Sequence, residues 1–350
     1  MICVGFSGFL PTGFFDCVAM CVLEPFDGNC TIRIDFDFRI SCTLLRTKPI
    51  LKTAISIGNF DAVHIGHLAL VESARNAVGE HGRVEMWSFD PSPVSVLRPE
   101  VHIDRITTFF QRQALLLEAG ADVVRCLEPT TELLSLEPRA YLQQVIEEVS
   151  PSYIVEGVGF RFGHERAGSI ETLRDFGDEF NFELIEVPGV EVTLEDQSVV
   201  KASSSMVRNL LNVGSIADVT RMLGREYVIS GVVVQGDKRG RTLGIPTANL
   251  GDVHTMLPRD GIYAGSAMIE NERFIAAVSI GTKPTFGRND CVCEVHLIGF
   301  DGEIGVYEWP LSVTISHCIR EQIKFDSVEA LTIEIERDIQ RAITLVESNR

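Results

Sequence analysis

Between residues 54 and 187 the chain alternates short apolar runs with longer amphipathic ones, and this alternation restricts the fold more than any other feature. The runs at 54–57, 84–89, 121–126, 153–156 and 182–187 have the length and apolar content of buried strands. Between them, 68–78, 108–119, 138–149 and 170–180 repeat apolar residues at intervals of three and four, the period of a helix with one buried face. Pro138 stands where a helix start tolerates proline, and Gly79 and Gly120 stand where helices end. Such an alternation implies a parallel sheet covered by helices on both faces, with ligands gathering beyond the strand carboxyl ends.

Further along, the pattern changes. Val207, Leu210 and Leu211 mark one face of a helix ending at Gly214, and a shorter helix over 215–223 closes at Gly224. After a junction near 224–226, short strands predominate: 228–235, 262–269, 274–280, 292–298 and 311–315. Their regular spacing and turn glycines predict a closed antiparallel barrel. A last helix, capped near Asp326 or Ser327, aligns Leu331, Ile335, Ile339, Ala342 and Val346 on a face that should pack on the barrel.

Composition narrows the partners. A chain of 350 residues is long enough for two cores. Its net charge of −18 argues against nucleic acid or an anionic membrane as the main partner, so any nucleotide must be met by local positive clusters. Nine cysteines without a Cys-x-x-Cys pair are too sparse for a secreted disulfide scaffold and read as reduced thiols in the cytoplasm. No apolar run is long enough for a membrane span. Residues 1–50 carry five of the cysteines, and 1–23 lack Lys and Arg, so a basic signal-peptide start is missing; they read as an N-terminal extension of unknown role.

The stretch 236–250, Gly-Asp-Lys-Arg-Gly-Arg-Thr-Leu-Gly-Ile-Pro-Thr-Ala-Asn-Leu, carries the first chemistry. Gly236, Gly240 and Gly244 let a backbone approach a bound group, and Lys238, Arg239, Arg241 and Thr242 suit phosphates. Pro246 fixes the turn so that Thr247 and Asn249, two apart in an extended piece, offer neutral oxygens on one side. A partly hydrated Mg²⁺ accepts such ligands beside phosphates. A glycine-rich hairpin with a solvated basic tip is the alternative.

Residues 240–250 resemble the nucleotide-binding signature of riboflavin kinase, in which the Thr and Asn of Pro-Thr-Ala-Asn bind Mg-ATP. The resemblance continues through Gly261-Ile262-Tyr263, the 281–286 run, Glu294-Val295-His296-Leu297 and 324–327. Upstream, the 58–67 run Gly-Asn-Phe-Asp-Ala-Val-His-Ile-Gly-His resembles the adenylyltransferase half of the bacterial bifunctional riboflavin kinase/FAD synthetase. The resemblance implies a Rossmann-like nucleotidyltransferase domain over 51–224 and a riboflavin kinase barrel over 225–350. It implies riboflavin, FMN and ATP as substrates, Mg²⁺ as the metal, and FMN and then FAD as products.

His64 and His67, with the small Gly66 between them, lie near a helix start and can reach the same phosphates; Gly58, Phe60 and Asp61 precede them. The phosphate oxygen of FMN is already anionic when it attacks the α-phosphorus of ATP. The site therefore needs alignment and charge stabilisation rather than a base. Ser203, Ser204, Ser205 and Arg208 resemble the family's Ser-Ser-Thr-x-Ile-Arg piece, which binds nucleotide phosphates. A well-capped helix accounts for these residues equally well on their own. In the kinase the nucleophile is an alcohol and needs a base. Glu294 shares a strand face with His296, with Cys293, Val295 and Leu297 on the other, and the resemblance assigns the base to this Glu. A solvent-facing strand carboxylate is its bland alternative, and His296 reads as structural.

Four places depart from the pattern. Ala62 stands for a Gly, tolerable unless φ is positive there; Ser92 stands for a His; Gly159 stands for an acidic or amide residue; and 305–310 is longer than the usual turn. The first three motivate one alternative to a bifunctional enzyme, a riboflavin kinase with a degraded adenylyltransferase domain; a flavin-nucleotide binding module without turnover is a second, against which the retention of Thr247, Asn249 and Glu294 argues.

Overall fold

The computed structural model describes residues 51–236, 244–285, 288–301 and 306–348, with side chains left out at 283–285 and 288–291. The readings made of residues 1–50, of Lys238 to Thr242, of Phe286 and of Gly305 lie outside the described residues.

β1 (Thr53–Gly58) is central to a five-stranded parallel sheet with β2 (Arg83–Phe89), β3 (Val123–Leu127), β4 (Tyr153–Gly157) and β5 (Glu183–Val187), in the order β3-β2-β1-β4-β5. Ala54, Ile55, Ser56 and Ile57 are all buried, as a strand covered on both faces requires. On one face, α1 (Ile65–Val78) and α3 (Phe109–Glu118) supply Leu70, Val71, Ala74 and Leu116 to a core with Val84 and Met86. On the other, α5 (Pro138–Val149) and α6 (Ile170–Phe180) bury Tyr141, Leu142, Val145 and Leu173 against Ile55, Trp87 and Ile154. The chain builds outward from β1 to β3 and then returns to the other side of β1. The crevice between the carboxyl ends of β1 and β4 is therefore the topological switch point, where open α/β sheets bind ligands.

The helix starts follow their caps. A capping box joins Thr108 and Gln111 at α3, another joins Ser169 and Thr172 at α6, and Pro138 opens α5. α1 begins three residues before the expected 68, with His64 as its N-cap by backbone alone. Its imidazole makes no capping bond. The periodicity also missed three small elements: helices α2 (Pro93–Leu97) and α4 (Thr131–Leu134), and the hairpin of β6 (Glu191–Thr193) and β7 (Val199–Lys201). All are too short for a period to register.

α7 (Ser204–Val213) and α8 (Ile216–Leu223) follow, and both end on left-handed glycines, Gly214 and Gly224. The barrel is closed and six-stranded among the described residues, in the order β10-β11-β12-β9-β8-β13. Its strands are β8 (Tyr227–Val234), β9 (Ala248–Gly251), β10 (Gly261–Ile269), β11 (Glu272–Thr285), β12 (Arg288–Ile298) and β13 (Pro310–Glu321). The sixth strand, β9, begins with the Ala248-Asn249 end of the Pro-Thr-Ala-Asn segment, and at four residues it is too short to register as an apolar run.

α9 (Val328–Ser348) closes the chain, with Ser327 Oγ accepting from Ala330 N at 3.1 Å. Ala342 and Val346 bury against Ala264 on the outside of the barrel. Each aliphatic side chain so covered contributes roughly 1–3 kcal/mol. Asp338, buried on the same helix, takes Arg320 Nη2 at 2.6 Å, an ion pair that no periodicity announces.

One hydrophobic core runs from Ala62, Ile106, Val207 and Leu211 through Val219 and Met222 into the barrel interior at Tyr227, Ile229 and Val295. Tyr227 Oη donates to the carbonyls of Met256 at 2.6 Å and Ile106 at 3.3 Å. α7 and α8 thus share their packing with the barrel, and a cut at 224 passes through a continuous core.

Candidate active sites

The switch-point crevice opens into a cavity of about 390 Å³. Gly58, Phe60, Gly66, His64 and His67 line it, so the 58–67 run that stood out in the sequence forms one wall. The local backbone explains how. Phe60, Ala62 and Val63 all have positive φ, at 45°, 76° and 43°, and fold the chain sharply between β1 and α1. Ala62 therefore does occupy the left-handed conformation that a glycine adopts at less cost. The turn is held from outside: Asp61 Oδ1 accepts from Ala62 N at 3.0 Å, Thr107 N at 2.9 Å and Thr107 Oγ1 at 3.0 Å. Arg225, just past α8, donates to the carbonyls of Ala62 at 2.6 Å and Val63 at 2.8 Å.

His64 and His67 stack with ring centroids 3.7 Å apart. A Cβ at Gly66 would lie 3.1 Å from the His64 ring, so the small residue between them gives the imidazole its room. Burial, reinforced by the Arg225 guanidinium, lowers the His64 pKa to about 4. Burial and the adjacent His64 ring hold His67 well below the usual histidine range. Both rings are thus neutral near pH 7 and would meet a ligand as hydrogen-bonding groups rather than as cations. The Nδ1 atoms of both are buried without a hydrogen-bond partner among the described residues. That is a costly state for a polar atom unless a ligand completes it.

The serine piece lies behind this wall. Ser203 Oγ caps α7 by accepting from Met206 N at 3.2 Å, Ser204 Oγ donates to the Asp61 carbonyl at 2.7 Å, and Ser205 is exposed. Arg208 donates through Nε to the Asp104 carbonyl at 2.7 Å and pairs with the Asp61 carboxylate. Asp61, Ser204 and Arg208 therefore meet at the start of α7, and neither they nor Ser203 and Ser205 are among the residues lining the cavity. Two side chains that the motif reading passed over do line it: Glu156, at the end of β4, and Lys201, whose stem crosses Gly189 so closely that a Cβ there would sit 1.8 Å from Lys201 Cε. Lys201 was legible only as the residue preceding the serines. Glu156 was concealed inside an apolar run.

The second site lies on the outer face of the barrel. In β12, Cys293, Val295 and Leu297 turn into the core, which leaves Glu294 and His296 on the outside, half-buried. β12 pairs with β9 so that Glu294 stands opposite Asn249. Directly paired residues share a face with Cβ atoms about 5 Å apart. Asn249 also pairs with Val234 of β8, and its amide lies against Gly236, where a Cβ would approach Nδ2 to 2.2 Å. His296 Nδ1 lies 2.8 Å from the Pro246 carbonyl and ties the entrance of β9 to β12. Gly244, at φ 77°, makes the turn that precedes Pro246. Gly240, Arg241 and Thr242 lie outside the described residues. Thr247 and Asn249 supply hydroxyl and amide oxygens, the hard neutral ligands that a divalent cation takes together with phosphates and water. Among the described residues no cluster of three His, Cys, Asp or Glu side chains is placed to hold a metal ion.

The two halves of the chain match two known families. The FAD synthetase family matches residues 47–203, and the riboflavin kinase (flavokinase) family matches 223–346. A bifunctional riboflavin kinase/FMN adenylyltransferase of Bacillus subtilis is 32% identical over 83% of this chain and 92% of its own. That of Buchnera aphidicola is 30% identical over 82% of this chain and 92% of its own. A crystal structure described as a macrolide-efflux protein from Streptococcus pneumoniae superposes with a TM-score of 0.75 at 29% identity, covering 83% of this chain and 93% of that one. Its description attaches to that protein alone; the likeness concerns the arrangement of both halves over most of their length. With two catalytic families in tandem and relatives that match across both, the chain belongs to the bifunctional riboflavin kinase/FMN adenylyltransferase family.

Proposed function

We propose that the barrel, residues 225–350, transfers the γ-phosphoryl group of ATP to riboflavin, and that the α/β half, residues 51–224, transfers the adenylyl group of a second ATP to the resulting FMN. Membership in the family carries both activities; their assignment to particular residues is our reading. The observation that carries it is the pairing of Glu294 with Asn249 beside Thr247 on one barrel face.

In the kinase step Glu294 takes the proton of the ribityl primary alcohol as its oxygen attacks the γ-phosphorus, and ADP departs. Thr247 and Asn249 would hold a divalent cation, with Mg²⁺ the natural fit to neutral oxygen ligands and phosphate. Such a cation, when bound, would neutralise charge on the transferring phosphates. Pro246, fixed through its carbonyl by His296, sets the position of both ligands.

In the adenylyl-transfer step an FMN phosphate oxygen bonds to the α-phosphorus of ATP and pyrophosphate leaves. His64 and His67 donate hydrogen bonds to the phosphates from the wall of the cavity, and Lys201 supplies positive charge. Arg208 and Asp61 act one layer back by fixing the turn that carries the histidines. Ser92 starts α2 and the departure at Gly159 leaves a bare backbone edge on the cavity, so neither blocks the site.

Free thiols at Cys126 and Cys318 and the demand for ATP support a cytoplasmic location. No helix among the described residues is long and apolar enough to cross a membrane. The test is chromatography of flavins after incubating the protein with riboflavin, ATP and magnesium: sequential FMN and FAD are expected. FMN alone would limit the activity to the barrel, and no product would overturn the reading.

A further inference from the structure

Glu156 is 3% exposed, deep at the carboxyl end of β4, and it faces a core of Ile57, Tyr141, Ile154 and Phe162. No arginine or lysine pairs with it among the described residues. A carboxyl in such a place is expensive, and local structure accounts for only half of it. β1 and β4 pair at Ala54↔Tyr153 and Ile55↔Ile154 and then diverge toward the switch point. The Ile57 N–H is left without a strand partner, and Glu156 Oε1 accepts it at 2.7 Å. The Ser56 hydroxyl lies close enough to the carboxyl to lower its pKa slightly, yet Ser56 Oγ makes no well-formed hydrogen bond, and Glu156 lines the cavity that holds His64 and His67.

We propose that Glu156 is a specificity-determining residue of the adenylyl-transfer cavity, its second carboxyl oxygen hydrogen-bonding to a ring nitrogen or ring carbonyl of the bound nucleotide. The proposal rests on the reading of this cavity as the adenylyl-transfer site. Burial raises the Glu156 pKa well above the ordinary carboxylate value, so the group enters as a neutral acid. Its O–H then donates, and an uncharged ring acceptor is a better partner than a solvated phosphate. The adjacent wall is suited to a flat ring: Phe160 stacks on Phe162 with centroids 5.6 Å apart, and Val158 and Val187 complete an apolar surface. Gly159 presents no side chain there, so the carboxyl of Glu156 is the polar group offered by this strand and the loop that follows it to the cavity. Both ATP and FMN carry heteroaromatic ring acceptors.

The titratable groups around Glu156 are few. Tyr141 faces it from α5, with its own pKa raised by burial; Glu186 adjoins it in register on β5 and is paired with Arg174 of α6 at 2.9 Å. His64 and His67 of the α1 start, both neutral, and Lys201 of β7 share the cavity. Among these, only Glu156 is an acid that is buried, unpaired with a cation and in contact with the cavity.

The experiment measures FAD formation from FMN and ATP by full-length wild-type protein, Glu156→Gln and Glu156→Leu, with separate KM values for ATP and FMN from pH 6 to 9. FMN formation and thermal melting serve as controls of folding. Glu156→Leu should raise one KM about tenfold, the equivalent of ~1.4 kcal/mol. A change for ATP places the bond at the adenine, and a change for FMN places it at the flavin ring. Glu156→Gln, still a donor, should stay within about threefold. Wild-type KM should rise on the alkaline side, as the carboxyl loses its proton, and Glu156→Gln should lose that limb. Unchanged KM values in Glu156→Leu, or identical pH profiles for wild type and Glu156→Gln, would overturn the proposal while leaving the cavity assignment in place. Absence of FAD formation by the wild-type protein would overturn both.

Discussion

Glu294 and Asn249 face each other across the β9–β12 pair, on the outside of a barrel whose inside is filled by the alternate residues of the same strands. A carboxylate and the amide proposed as a metal ligand are thereby fixed by backbone register rather than by loop conformation, so their spacing is as rigid as the sheet. Glu294→Gln keeps the shape and removes the base. FMN formation should fall by about 10²–10⁴, while FAD formation from added FMN continues at the wild-type rate. A full kinase rate in the variant would remove Glu294 from the base role.

Asn249 has a second constraint in Gly236. A Cβ on Gly236 would sit 2.2 Å from Asn249 Nδ2 and 2.6 Å from Oδ1, closer than non-bonded atoms approach. Gly236→Ala should therefore swing the amide off the site without touching β12. We expect at least a tenfold loss of kinase kcat/KM, about 1.4 kcal/mol of transition-state stabilisation, with a raised magnesium requirement and normal FAD synthesis. A titration of kinase rate against magnesium concentration measures it.

The layered half of the molecule could be read from sequence almost whole, because long helices and buried strands repeat at periods that only one layering satisfies. The strand pair proposed as the kinase face also left a mark in the sequence, since Thr247 and Asn249 are polar residues set beside Pro246 where apolar ones would be routine. The coupling between halves could not be read. Arg225 holds the carbonyls of Ala62 and Val63, 163 and 162 positions away, and no local pattern records a bond of that span. Glu156 was hidden for the opposite reason: one acidic residue within a strand reads as an ordinary polar interruption, and only the divergence of β1 from β4 gives it a role. Arg208 was noticed as a cation beside serines, whereas its engagement with Asp61 depends on a turn built from the far end of the domain.

That turn supports a stability test. Ala62 is fully buried at φ 76°, a conformation costing a non-glycine residue about 1 kcal/mol. Ala62→Gly relieves this cost but loses a buried methyl worth about 0.8 kcal/mol and frees the unfolded chain by a further 0.4–1 kcal/mol or so. The terms nearly cancel, so Tm should move by less than about 4 °C. Ala62→Val meets both the forbidden φ and a filled core; it should lose roughly 2 kcal/mol or more and FAD synthesis with it. Calorimetry of the two variants separates backbone strain from packing.

The stacked histidines make stability depend on pH in a definite direction. His64 has a folded pKa of about 4 against an ordinary 6.5, because burial and Arg225 oppose its charge. Between these values the unfolded chain binds the proton and the folded one does not. The contribution of neutral His64 is thus fully present above about pH 6.5 and is lost as pH falls toward 4, amounting to roughly 3 kcal/mol at ~1.4 kcal/mol per pH unit. His67 acts in the same sense. Glu156 acts in the opposite sense: its raised pKa gives stability at low pH that is lost as pH climbs above the ordinary Glu value. The wild-type slope in this window is therefore a difference of opposing terms, and single substitutions resolve it. In urea melts from pH 4.5 to 7, His64→Gln should flatten the rise of stability with pH, and Glu156→Gln should steepen it. Parallel pH profiles for wild type and His64→Gln would mean that the imidazole is charged in the folded protein, and the role of the pair as neutral donors to phosphate would fall with it.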